Sequence, residues 1–385
     1  MNKAPKLRFK EFSEDWEEKK LEEIGIIGRG KSKHRPRDDK RLFGGKYPFI
    51  QTGDIRNAGL FLNNYTQTYS DFGLEQSKLW EAGTLCITIA ANIAETSILN
   101  INACFPDSII GINVFNDKAN NIFLKMYFDF KRRDFEKISE GLAQSNLNLD
   151  KLKSMFFKIP SIKEQQKIAD FLSSVDKKIS ITEEKLDLFK DYKKGIMQKI
   201  FNQELRFKDS NGNNYPEWEE KRLGEISSVQ TGNKDLEDKK ENGIYPFFVR
   251  SKNIERIDTY SYDGEAILIP GDGKIGEVYH YINGKFDYHQ RVYKISGFEN
   301  ICCKYIYYYL YEKFKKHALT YTAKATVDSL RLPVIKEFVI KLPCLEEQEK
   351  IANFLSSIDN KIENLSNELE NLKDFKKGLL QQMFV

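Results

Sequence analysis

Two stretches of the chain carry apolar residues at alternating spacings of four and three. In the first, the positions are Ile168, Leu172, Val175, Ile179, Thr182, Leu186, Phe189, Lys193, Ile196 and Ile200. In the second they are Ile351, Leu355, Ile358, Ile362, Leu365, Leu369, Leu372, Lys376, Leu379 and Met383. This is a sustained heptad seam with one polar slot, Lys193 or Lys376, at the same register. Pro160 and Pro343 stand just ahead, where proline does not break a helix. A helix from Glu164 to Phe201 is about 57 Å long. Neither helix can bury its seam alone, so each is the natural partner of the other. The rest of the pattern is mixed. YPFI, TLCITI (Thr84 to Ile89), AILIP (Ala266 to Pro270), GEVYHYI and FVIKLP read as strands bounded by Gly, Asn and Asp. IFLKMYFDFKRRDFEKI (Ile122 to Ile138) and YIYYYLYEKFKKHAL (Tyr305 to Leu319) have helical spacing. The tyrosines from Tyr305 to Tyr311 are read as packing on a sheet in preference to stacking on bases.

The chain repeats one plan. LRFKEFSEDWEEKKLEEIG (Leu7 to Gly25) returns as LRFKDSNGNNYPEWEEKRLGEIS (Leu205 to Ser227), with Trp16 matching Trp218. IPSIKEQQKIADFLSSVDKKI, from Ile159, returns as LPCLEEQEKIANFLSSIDNKI, from Leu342, and the match runs on through KDYKKG and KDFKKG. Between these anchors, residues 26–158 and 228–341 are dissimilar apart from fragments such as YPFIQTGDI and YPFFVRSKNI. If the two copies are equivalent, a pseudo-two-fold axis relates them and the helices must pack antiparallel. The expected fold is therefore α+β, a dumbbell of two pseudo-two-fold-related αβ domains separated by two long antiparallel coiled-coil helices. The expected boundaries are 1–158 and 203–341 for the domains, 159–202 and 342–385 for the helices.

Composition narrows the function. The chain has 385 residues, too many for one ordinary core, with 31% charged and 40% hydrophobic residues. No run of eighteen apolar residues occurs, and Met1 to Asp15 is charged, so neither a membrane span nor a secretory leader is expected. A net charge of +4 excludes a histone-like blanket of positive charge but leaves room for a local basic groove. Five cysteines without a CxxC pair argue for a reducing compartment, and four scattered histidines give no metal-ligand spacing. Two phosphate-binding strings fail on context. Gly25 to Ser32 spells a P-loop, yet KHRPRDDKR follows where a helix is needed, and the matching SSVQTGNKD lacks the Lys-Ser pair. Gly271-Asp-Gly273-Lys-Ile-Gly276 spells GxGxxG but leads into EVYHYI, a strand-like run, so a tight turn facing a DNA phosphate is the better reading. No (N/D)PP(Y/F), HExxH or GxSxG motif is present.

Two dissimilar domains, each opened by W-x-x-x-x-L and closed by P-x-x-E-Q-x-K-I-A-x-F-L-x-x-x-D-x-K-I, resemble the specificity subunit of type I restriction-modification systems. Trp16 with Leu21, Trp218 with Leu223, Pro160 to Ile179 and Pro343 to Ile362 carry the likeness across the whole chain. The resemblance implies two target recognition domains and two conserved spacer helices, in a non-catalytic bipartite DNA reader. It implies double-stranded DNA, two methylase subunits and two restriction subunits as partners, and no membrane. S-adenosylmethionine, ATP and Mg would reside on the partner subunits, with no cofactor on this chain, in the cytoplasm of a bacterium or archaeon. A departure lies at IAANIAE (Ile89 to Glu95), where the family often has a polar, glycine-bearing turn. The competing classes are a standalone DNA-binding nuclease and a purely structural coiled-coil adaptor.

The basic loop Arg29, Lys31, Lys33, Arg35, Arg37, Lys40 and Arg41 is a candidate for positioning phosphates, with a solvated surface loop the equal alternative. Thr52 and Arg56 complete the DNA-binding candidates of the first domain. In the second they are Arg250, Ser251, Lys252, Lys274, His289, Gln290 and Arg291, at strand ends and turns. Arg and Gln there have the donor geometry that reads guanine and adenine edges.

Overall fold

The computed structural model describes residues 4–90, 92–140, 147–273, 275–322 and 329–384. The chain forms two compact units, residues 1–182 with 368–385, and residues 183–367. The two seams become helices Ile162–Phe201 and Leu345–Met383. Each starts just after its proline, where the missing N–H costs nothing. Every seam position named above is buried or half-buried. In unit 1, Ile168, Leu172 and Val175 near the start of the first long helix pack with Leu379 and Met383 near the end of the second. In unit 2, Met197 and Ile200 near the end of the first pack with Ile351, Leu355 and Ile358 near the start of the second. The helices therefore run antiparallel. The polar slots are filled by ion pairs, Lys193 with Asp359 and Lys376 with Asp176, both at 2.5 Å. Each lysine meets the aspartate of the opposite D-x-K-I block, so the polar slot fixes one register.

Unit 1 builds two sheets from strongly β-prone runs. A five-stranded sheet has the order Gly25–Arg29, Ile109–Val114, Leu85–Thr88, Thr96–Leu99, Phe61–Leu62. A four-stranded sheet has the order Gln67–Tyr69, Phe43–Phe49, Ala103–Cys104, Leu79–Trp80. Helix Asn121–Glu140 lays Phe123, Leu124, Tyr127, Phe128 and Phe135 against the larger sheet's Leu85, Ile87, Ile110 and Ile112. Unit 2 has one six-stranded sheet, in the order Ser228–Thr231, Val292–Ser296, Tyr262–Pro270, His280–Tyr288, Tyr245–Phe248, Ile254–Ile257. Helix Cys303–Thr322 covers it through Tyr305, Ile306, Tyr309, Leu310 and Phe314. Tyr305, Tyr308 and Tyr309 are core residues. The Tyr305 hydroxyl donates to Lys341 O and that of Tyr308 to Asp359, so the polar tips are satisfied while the rings fill space. The expected class, α+β with two αβ domains and two long antiparallel helices, is the one the chain adopts.

The repeated sequence segments build one joint twice. Glu164 and Glu347, from the two E-Q pairs, are fully buried. The Arg8 guanidinium donates to both oxygens of Glu164 at 2.8 Å, and Trp16 Nε1 donates at 3.4 Å. Arg206 donates to Glu347 at 2.9 and 3.3 Å, and Trp218 Nε1 at 3.0 Å. The neighbouring glutamines repeat as well. Gln165 donates to Pro160 O and accepts from Asn120 N, while Gln348 donates to Pro343 O and accepts from Cys302 N. Asn120 and Cys302 immediately precede the two sheet-covering helices, so one dipeptide ties together three chain segments. Two-stranded ribbons close each joint, Glu17–Lys20 on Phe156–Ile159 and Glu219–Arg222 on Val339–Leu342. The last partner is also repeated. Phe201 sits against Tyr305 and Tyr309, and Phe384 against Phe123, Tyr127 and Phe130.

Two local readings need adjustment. GEVYHYI is strand only from His280 onward. Gly276 turns at φ +68°, and a Cβ there would lie 2.8 Å from Lys315 Cα, so the chain bends against the covering helix before the strand begins. The P-loop string is a strand, Gly25–Arg29, paired antiparallel with Ile109–Val114 and followed by an irregular loop instead of a helix.

Candidate DNA interface

In unit 1 the basic loop leaves strand Gly25–Arg29 and is pinned by its own arginines. Arg29 Nε donates to Asp107 O at 3.0 Å, Arg37 Nη2 to Asp107 Oδ2 at 3.0 Å, and Arg35 Nη1 to the carbonyls of Ser32 and His34. The backbone amides of Lys31 and Lys33 donate to Phe105 O and Gln76 O, leaving both side chains exposed. Asp39 binds Arg41 and His34, and those contacts, Arg41's first, hold its carboxyl well below the usual carboxylate range. Beside the loop lies a cleft of about 570 Å³ lined by Ser32, Arg37, Gln51, Thr52, Gln67 and Tyr69 among others. The fold thus brings Thr52 to the loop. Arg56, on the same short helix, reaches Asn92 instead, at 3.3 Å. Arg29, Lys31, Lys33 and Arg35 lie outside the lining of the cleft. Gln51 and Gln67, joined amide to amide at 2.6 Å, were not singled out in the sequence. Their signal was position alone, Gln51 lying inside the shared YPFIQTGDI fragment.

In unit 2 a cleft of about 680 Å³ collects Arg250, Ser251, His289, Leu236, Asp272 and Gly273 among its walls. Arg250 Nη1 lies 3.2 Å and Arg291 Nη1 3.6 Å from Asp272 Oδ2. Gln290 Nε2 donates to Asp235 at 2.6 Å. His289 is buried and both its ring nitrogens are engaged within the chain. Nδ1 accepts from the Arg291 amide, which leaves the hydrogen on Nε2, facing Asp235 at 3.2 Å. His289 therefore braces the turn that presents Gln290 and Arg291. Asp235 titrates below the ordinary carboxylate range, chiefly because the Leu236 amide donates to it. Lys252 is exposed beside Ser251, and Lys274 lies outside the described residues. Asp235 and Asp272, which hold these side chains, have no signal in the sequence beyond their place in two glycine-bearing fragments, TGNKD and GDGKIG.

Among the described residues no group of three or more His, Cys, Asp or Glu is placed to hold a metal ion. All five cysteines are free thiols, and no helix among the described residues is long and apolar enough to cross a membrane.

This is an α+β chain of two units that repeat one joint, differ in their sheets and each carry an arginine-bearing cleft. Comparison gives it a family. The family model of the type I restriction modification DNA specificity domain matches residues 13–189 and 215–374, and the chain belongs to that family. It is 24% identical over 398 residues to the type I restriction enzyme MjaVIII specificity subunit of Methanocaldococcus jannaschii, covering 95% of this chain and 91% of the relative. The EcoDI specificity subunit of Escherichia coli is 29% identical over 169 residues, 43% of this chain and 37% of that one. The crystal structure of the type I restriction-modification S subunit from M. genitalium superposes with a TM-score of 0.69 at 16% identity, covering 99% of each chain. The family is the non-catalytic DNA-recognition component of type I restriction-modification systems, which sets aside the standalone nuclease and the adaptor.

Proposed function

We propose that this specificity subunit reads a bipartite DNA target, one half with residues 1–158 and the other with residues 203–341, while 159–202 and 342–385 serve as spacer helices. Two methylase subunits dock on it, and two restriction subunits join in the full complex. S-adenosylmethionine, ATP and Mg belong to those partners, and the complex works in the cytoplasm of a bacterium or archaeon. The observation that carries this reading is the duplication itself: one joint, built twice from the same residue types, presents two differently built units with an arginine-bearing cleft in each. Duplicated presentation of unlike readers suits two unlike half-sites and two copies of one partner. The arginines and glutamines at the clefts supply base-edge donors, and Lys31, Lys33 and Lys252 supply phosphate contacts.

The test is methylation-site sequencing of cells expressing this chain with its methylase. A discontinuous motif is expected, and exchanging residues 228–341 for those of a relative should change one half only. A contiguous motif, or a change in both halves, would overturn the proposal. The isolated chain should neither methylate nor cleave DNA.

A further inference from the structure

The Gly271 to Gly276 string carries an aspartate beside two of the candidate arginines. Its Asp272 follows a backbone anchor: Gly271 N donates to Arg291 O, and Leu330 N donates to Gly271 O, each at 2.7 Å, and Asp272 itself forms a β-bridge with Ser329. The Asp272 side chain is 18% exposed, whereas those of Arg250 and Arg291 are 48% and 62% exposed. One carboxylate thus hydrogen-bonds the Arg250 guanidinium at 3.2 Å and ion-pairs with that of Arg291 at 3.6 Å. For affinity alone this is a poor arrangement. The carboxylate cancels one of the two positive charges and repels any phosphate that approaches. For discrimination it is a good one. A guanidinium has five donors in a rigid plane, and holding one edge on a carboxylate aims the others before DNA arrives, so less ordering is needed on binding. A guanidinium left loose finds a phosphate as readily as a base, and phosphates carry no sequence.

We propose that Asp272 is a positioning residue for Arg250 and Arg291, lowering non-specific affinity and raising sequence discrimination by the second domain. The inference rests on the reading above that this domain recognises DNA. Unit 1 shows a simpler relative of it, with the Asp107 carboxylate holding Arg37 alone while Arg29 donates to the Asp107 backbone carbonyl.

The experiment compares the methylase complex carrying the wild-type chain, Asp272→Asn, Asp272→Ser or Asp272→Glu. Binding is measured across a salt series on the sequenced target, on versions with either half scrambled, and on an unrelated duplex. Both uncharged variants should bind the unrelated duplex about threefold to tenfold tighter, with a salt slope steeper by about one unit. Their preference for one half-site should fall about tenfold, the other half being unaffected. Asp272→Glu, which keeps the charge, should recover most of that preference. Unchanged preference in either uncharged variant, or equal weakening on every duplex, would overturn the inference. A wild-type complex with no sequence preference would instead overturn the DNA-recognition reading, and this inference with it.

Discussion

Glu164 and Glu347 hold the same kinds of partner at similar distances, yet the sheets anchored beside them share neither strand number nor order. Unit 1 divides its strands between sheets of five and four, while unit 2 gathers six into one. The contrast separates two kinds of constraint. Where a domain must join a helix, the buried carboxylate, the indole and the guanidinium form one solution, and it is used twice. Where the chain faces outward, only the general architecture is kept, a helix over a sheet with an arginine paired to a carboxylate at the rim, Arg37 with Asp107 and Arg250 with Asp272.

The largest expected effect tests the joint. Glu347→Ala leaves the Trp218 N–H without its acceptor and takes from the Arg206 guanidinium its buried carboxylate, leaving it Glu217 and the Tyr215 and Pro216 carbonyls, and should destabilise unit 2 by about 2–4 kcal/mol. Glu164→Ala should cost unit 1 a similar amount. Denaturant unfolding followed by tryptophan fluorescence reads both, and a large loss in only one would break the equivalence. The rims come next. Arg291→Ala should lose about 1–3 kcal/mol of discrimination at one position of one half-site. Lys31→Ala should weaken binding to all sequences alike and lower the salt slope by about one unit. Competition binding on target and scrambled duplexes separates the two, and a sequence-selective loss in Lys31→Ala would blur the distinction. At the seam, Lys193→Ala and Lys376→Ala each remove a half-exposed ion pair, worth up to about 1 kcal/mol in thermal unfolding.

The smallest effect is a pH dependence in unit 2. His280 donates from Nε2 to Ser251 O, and burial holds its imidazole below its ordinary value despite that contact. The unfolded chain therefore takes up the proton first, at about pH 6.5. The stability that His280 contributes is present above that pH and is lost as pH falls towards the lower folded value. Unfolding midpoints between pH 7 and 5 should fall, and His280→Phe should flatten the trend. A His280 NMR titration midpoint above the ordinary value would reverse the sign.

The long helices were legible because twenty seam positions repeat one spacing, and no local alternative satisfies them. The sheet-covering helices were legible for the same reason. Sheet order was not, because pairings such as Phe61–Leu62 on Thr96–Leu99, or Tyr245–Phe248 beside His280–Tyr288, are decided by tertiary packing over long separations. The W-x-x-x-x-L and E-Q motifs were visible as letters, but their bond was not, since Arg8 and Glu164 stand 156 residues apart. At the clefts the cations stand out in the sequence and the anions do not. A basic residue near a turn announces DNA, whereas Asp272 acquires meaning only when folding sets it between Arg250 and Arg291.

The seating of Phe384 also has a consequence in time. Unit 1 is discontinuous: its ring cluster of Trp16, Phe123, Tyr127 and Phe130 is completed by a residue that the ribosome adds only after all of unit 2. Unit 2 is continuous and can close as soon as residue 367 is free. The half of the chain that is made first must therefore finish folding last, with an open aromatic face waiting throughout synthesis. A chain ending at Asn367 and released from the ribosome should leave unit 1 protease-sensitive and unit 2 protected.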